Sequence, residues 1–119
     1  MDAVILLIRL TFLPVLKCPH QGMGCVMHPA TVIGENCIIY QHTTFGAVYG
    51  ENKPDGVPVI GNNIMVGAGT SILGSVIIGN NAVIAAHSLV TKDVPDGAVI
   101  AGIPAEIKKY KTVIEENRQ

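Results

Sequence analysis

The sequence predicts an all-β protein, a parallel β-helix built from hexapeptide units. Three observations carry this expectation. Apolar residues recur every six positions, from Met27 through Ile33, Ile39 and Phe45, and again from Ile60 through Val66, Ile72, Ile78, Ile84 and Val90. The second position of these ten units is glycine in five of them, which suits a corner. The segments between are rich in Val, Ile and Thr, yet fit neither strict alternation nor the i, i+3, i+4 spacing of a helix. A fixed six-residue period marks a solenoid in which each unit is one short strand and one corner. Three units close a triangular coil, and coils stack at the strand spacing of about 4.8 Å.

Each segment follows from this repeat. The chain has 119 residues, which suits one domain. Residues 1–17 precede the first regular unit and are expected to cap the fold as a helix or irregular segment. Their apolar run is interrupted by Arg9 and ended by Pro14, too short for a membrane span of about 20 residues. No membrane association is expected. Residues 18–104 form the repeat. Within it, Cys18–Val26 has nine residues where a regular unit has six. Phe45 and Ile60 are also too far apart for one unit, so Glu51–Val59 is expected as an extruded loop. Pro104 can begin a helix, and Ile107, Tyr110 and Ile114 share one helical face. Residues 105–119 are therefore expected as a C-terminal helix or tail.

Composition limits the function. Hydrophobic residues make up 49% and charged residues 14%, with a net charge of −1. That supplies a core and argues against a nucleic-acid partner. Cys18, Cys25 and Cys37 are odd in number and form no C-x-x-C. Reduced thiols in a cytoplasmic setting are expected, not a disulfide framework or a zinc site.

The stretches "PHQGMGCVMHPATVIGENCIIYQHTTFGA", "YGENKPDGVPVIG", "VGAGTSILGSVIIGNNAVIAAHSLVTKDVP" and "AGIPAEI" resemble serine O-acetyltransferases and related hexapeptide-repeat acyltransferases. The resemblance spans Pro19 to Lys109. It implies a left-handed β-helix that assembles as a homotrimer, with active sites between subunits. Acetyl-CoA would lie along a groove, and a histidine would act as general base on an acceptor hydroxyl. The family's large N-terminal helical domain has no counterpart in these residues.

Carried onto this sequence, the resemblance makes His20 the candidate catalytic base. The alternative is an ordinary surface histidine. Placing Cys18 at the first position of a unit puts His20 at a corner, on the column that next holds Gln41 and His42. His42 is a candidate acceptor contact, an alternative base or a solvated corner residue. His28, before Pro29, is expected to be structural. Gly56 and Val57 stand where the family carries an Arg-His pair for its amino-acid substrate. Small residues at Gly67, Ala68, Ala85 and Ala86 would leave a groove open for the pantetheine arm, or simply satisfy corner geometry. Gly46 and Ala47 are candidates for close approach to the thioester, and Lys92 for a CoA contact. No carboxylate or cysteine stands at ligand spacing from His20 and His42, so no metal is expected. The family's orienting carboxylate falls at Ile5 here, and its Asp before the histidine at Pro19. These departures leave serine, a sugar or another hydroxyl compound open as acceptor. They also keep a catalytically silent scaffold subunit as the rival reading.

Overall fold

The computed structural model describes residues 16–48 and 56–111. These residues form a left-handed parallel β-helix. The first coil holds β1 (Leu16–Lys17), a turn over Pro19–Gly22, β2 (Val26–Met27) and β3 (Val32–Ile33). The second holds β4 (Cys37–Ile39), β5 (Thr44–Gly46) and β6 (Val59–Ile60), and the third β7 (Met65–Val66), β8 (Ser71–Leu73) and β9 (Ile77–Ile78). The last coil carries β10 (Val83–Ile84) and β11 (Leu89–Val90), and a hairpin of β12 (Ala98–Gly102) and β13 (Ala105–Tyr110) closes the end.

Stacking gives three sheets. A six-stranded sheet runs β1-β4-β7-β10-β12-β13, a four-stranded sheet β11-β8-β5-β2 and a three-stranded sheet β3-β6-β9. Equivalent positions sit in register. Met27 pairs with Phe45, Phe45 with Ile72 and Ile72 with Val90. Ile39, Val66, Ile84 and Ile100 form a second inward column, and Ile33, Ile60 and Ile78 a third. All of these side chains are buried. Each such burial contributes about 1.5–3 kcal/mol, so the six-residue period is the driving force of the fold.

The position before each corner's exit explains the small and polar residues. At the corner joining the six- and four-stranded sheets it holds Cys25, Thr43, Thr70 and Ser88, all buried. Thr43 Oγ1 donates to the Tyr40 carbonyl at 2.8 Å and Ser88 Oγ to that of Ala85 at 2.6 Å. Their hydroxyls satisfy backbone carbonyls that the turn leaves without strand partners. The Cys37 thiol, at another corner, is pushed up by burial, which keeps it protonated and unreactive.

Three expectations on element boundaries need correction. Leu16 and Lys17 belong to the β-helix, not to a cap, because they pair with Cys37 and Ile38. Residues 1–15 of the expected cap lie outside the described residues. The loop expected at Glu51–Val59 ends earlier. Val59 is in β6, paired with Val32 and Ile77, and Pro58 is buried. Residues 51–55 lie outside the described residues.

The C-terminal helix is the third correction. Ala105–Tyr110 is a strand antiparallel to β12. Without it, the last strand of the six-stranded sheet would present unpaired N–H and C=O groups, and β13 satisfies them. On this strand Ile107 and Tyr110 are exposed. Residues 112–119 lie outside the described residues. Among the described residues, no helix is long and apolar enough to cross a membrane.

Candidate active site

The first corner of each coil, between the six- and four-stranded sheets, gathers most of the candidate residues. Backbone hydrogen bonds fix its register. His42 N–H donates to the Met23 carbonyl at 2.8 Å, Gly69 N–H to Gln41 at 3.0 Å and His87 N–H to Ala68 at 2.8 Å. One edge of the prism therefore stacks Met23 and Gly24 on Gln41 and His42, then Ala68 and Gly69, then Ala86 and His87.

The second residue of each pair has left-handed backbone angles: φ is 68° at Gly24, 59° at His42, 72° at Gly69 and 60° at His87. Histidine is tolerated there better than most residues. Glycine alternates with histidine for a steric reason. A Cβ on Gly24 would collide with the His42 ring, and one on Gly69 with the His87 ring. Each imidazole lies over the glycine of the preceding coil.

His20 departs from the expected column. Gly24, not His20, stands under His42. The link from β1 to β2 carries three residues more than the equivalent link from β4 to β5. The extra residues form a turn in which His20 and Gln21 both take left-handed angles, φ 59° and 60°. Met23 N–H donates to the His20 carbonyl at 3.2 Å, which holds the turn against the same corner. His20 and His42 thus share an edge but not a stack, and both rings are exposed.

Gly67, Ala68, Ala85 and Ala86 also lie on this edge. For Gly67 the corner supplies its own reason: a Cβ would come 2.5 Å from the Ala86 backbone nitrogen. Ala68 and Ala86 present only methyl groups, half-buried and exposed respectively.

The remaining candidates lie on a different edge, between the four- and three-stranded sheets. Gly46 and Ala47 start that corner in the second coil. Gly56 and Val57 end the insertion there, and a Cβ on Gly56 would collide with Ser75. Lys92 is on the same edge in the last coil, lining a cleft of about 280 Å³ with Glu106 and Ile107 of β13. One side of the triangle separates the two edges, up to about 20 Å for six residues at 3.3 Å each. Within one chain His20 and the group Gly56, Val57 and Lys92 therefore stand on different edges.

His28 is structural: its Nδ1 accepts the Ala30 N–H at 3.0 Å and closes a turn. The third edge is spent on packing. Asn62 Oδ1 accepts the Glu35 N–H, Asn80 Oδ1 that of Asn62 and Asp96 Oδ1 that of Asn80, each at 2.8 Å. No group of three or more His, Cys, Asp or Glu side chains among the described residues could hold a metal ion.

Gln41 was not singled out by sequence reasoning as a site residue. It is half-buried on the first edge, and its Oε1 is shielded from solvent without a hydrogen-bond partner. Its equivalents on neighbouring coils are Met23, Ala68 and Ala86, so a carboxamide in that column was the available signal.

A family model described as Bacterial transferase hexapeptide (six repeats) matches residues 58–92. A serine acetyltransferase of Synechococcus elongatus is 40% identical over 87 residues, covering 73% of this chain and 35% of the relative. One of Staphylococcus epidermidis is 41% identical over 91 residues, covering 76% of this chain and 42% of the relative. This chain carries a hexapeptide-repeat β-helix similar to that of serine acetyltransferases. Solved structures agree. The Neisseria gonorrhoeae serine acetyltransferase superposes with a TM-score of 0.75 at 36% identity, covering 87% of this chain and 41% of that one. The Brucella abortus serine acetyltransferase in complex with coenzyme A gives 0.74 at 33% identity, covering 82% of this chain and 38% of that one. The chain spans less than half the length of these relatives.

Proposed function

We propose that this chain is an O-acetyltransferase that moves the acetyl group of acetyl-CoA to the hydroxyl of serine. The observation that carries the reading is the first edge, where His20 and His42 stand beside a column of small residues. Two supports come from the similar proteins: the relatives are named serine acetyltransferases, and one similar structure holds coenzyme A.

The chemistry then assigns roles. His20 takes the acceptor's hydroxyl proton as the oxygen attacks the thioester carbon. A backbone N–H, at Gly46 or Ala47 of a neighbouring copy, holds the tetrahedral oxyanion. The C–S bond breaks, the carbonyl re-forms, and the CoA thiolate takes the proton back from His20. Ala68, Ala85 and Ala86 give the pantetheine arm room, while His42 contacts the acceptor. Lys92 meets the polar end of CoA. No step uses a metal.

On one copy this edge is open to solvent, and water must be kept from the thioester. A homotrimer that sets the first edge of one copy against the second edge of the next would enclose the site. Val32, Val59 and Ile77 form an outward column on the three-stranded sheet, 40–58% exposed, beside the second edge. Such a patch suits an interface. Ile38, Met65 and Val83 are half-buried on the six-stranded sheet. A second acceptor reading, a sugar or other uncharged hydroxyl compound, is favoured by Gly56 and Val57. Neither side chain can pair with the carboxylate or ammonium of serine.

Complementation tests the shared site. Removing residues 49–57 joins Val48 to Pro58 and restores the six-residue register, so the β-helix should fold. This variant and His20→Ala should each be inactive alone. Mixed after unfolding and refolding, random trimers should regain about a quarter of wild-type activity, because that share of sites draws each half from an intact copy. No recovery in refolded mixed trimers would place the whole site within one chain.

A further inference from the structure

We propose that Gln41 is a positioning residue for His20: its side-chain carbonyl oxygen accepts one ring N–H and fixes which nitrogen is free to take the hydroxyl proton. The inference rests on His20 being the general base.

A neutral imidazole works as a base only through its unprotonated nitrogen. Which nitrogen that is depends on what the other one donates to. The sequence offers no acid for this purpose at Ile5 or Pro19. Among the described residues the His20 ring makes no hydrogen bond, and it stands exposed on a turn of three additional residues.

One coil along, Gln41 has the complementary need. Its Oε1 is buried with no donor, a costly state for a carbonyl oxygen. On one side its column neighbour is Ala68, which carries only a methyl. On the other it is Met23, whose N–H holds the His20 carbonyl at 3.2 Å. The turn bearing His20 packs against β4, and Gln41 follows that strand by two residues. In the proposed contact the exposed ring turns toward the carboxamide and donates to the Oε1 that lacks a donor. The opposite ring nitrogen then faces solvent, where a hydroxyl would arrive.

An amide acceptor differs from a carboxylate in one respect. It selects the tautomer without adding a negative charge beside the ring.

The test is the ring-nitrogen NMR spectrum of 15N-labelled protein, assigned to His20 by its absence in His20→Asn. In the wild type one neutral tautomer should dominate. Gln41→Met, similar in length but without an acceptor, should shift the tautomer ratio and lower kcat at least about tenfold, part of the 10²–10⁴ available from acid–base catalysis. The KM for acetyl-CoA should stay within twofold. Gln41→Glu, which restores an acceptor, should recover the wild-type tautomer. If Gln41→Met leaves the tautomer ratio unchanged, the inference is overturned, whatever its activity. Normal turnover by His20→Asn would instead overturn the base assignment. Any Gln41 contact seen in the same spectra would then be structural.

Discussion

Replacing His20 by alanine should lower kcat by roughly 10²–10⁴-fold, the range for loss of a general acid–base group. Acetyl-CoA affinity, measured by calorimetry, should change little, because the small residues proposed to line the pantetheine arm lie two to three coils away. The ring is exposed, so its removal empties no cavity. The backbone adds a smaller effect: φ is 59° at this position, and alanine populates the left-handed region less readily than histidine. His20→Asn is the better control, because asparagine tolerates those angles while removing the same base. Both variants should lose the same turnover. His42→Ala should instead raise the KM for the acceptor. The reverse pattern, an inactive His42→Ala beside a nearly normal His20→Ala, would move the base to the regular stack.

Phe45→Ala should destabilise the fold by about 3–5 kcal/mol, the range for a fully buried phenylalanine. Phe45 has no exposed surface and stacks between Met27 and Ile72. In a solenoid each coil rests only on its neighbours, so a cavity here weakens the interfaces to the first and third coils together. Native domains are stable by only about 5–15 kcal/mol, and the loss is a large share of that. At roughly 3–5 °C per kcal/mol for a chain of this size, Tm should fall by about 10–20 °C. A drop under about 3 °C would mean that the inward column does not carry the stability assigned to it.

The coil was legible in the sequence because its signal is periodic and redundant. Ile33, Ile60 and Ile78 would each be weak evidence alone, but their common phase leaves one architecture. The elements misread were those where the phase is interrupted. The chain is already back in the coil at Pro58 and Val59. Counting six residues forward from Phe45 therefore set the end of the loop two residues late. Ile107 and Tyr110 had helical spacing, but a pattern of three residues cannot report that β12 needs a partner strand. At the site, the alternation of Gly24, His42, Gly69 and His87 is a packing rule between coils. His42 and His87 could be aligned from the period, whereas His20 could not, since its turn adds three residues outside it. The empty acceptor on Gln41 has no sequence signature, because burial of one side-chain atom depends on the coil beneath it.

Release of the CoA thiol, followed with and without acceptor, tests the central claim most directly. With acetyl-CoA and serine, or another hydroxyl compound from a small panel, the wild-type chain should release thiol at a rate that saturates in acceptor and is lost in His20→Asn. A rate no greater with any acceptor than without would contradict acetyl transfer and leave a β-helix that serves only as a structural subunit.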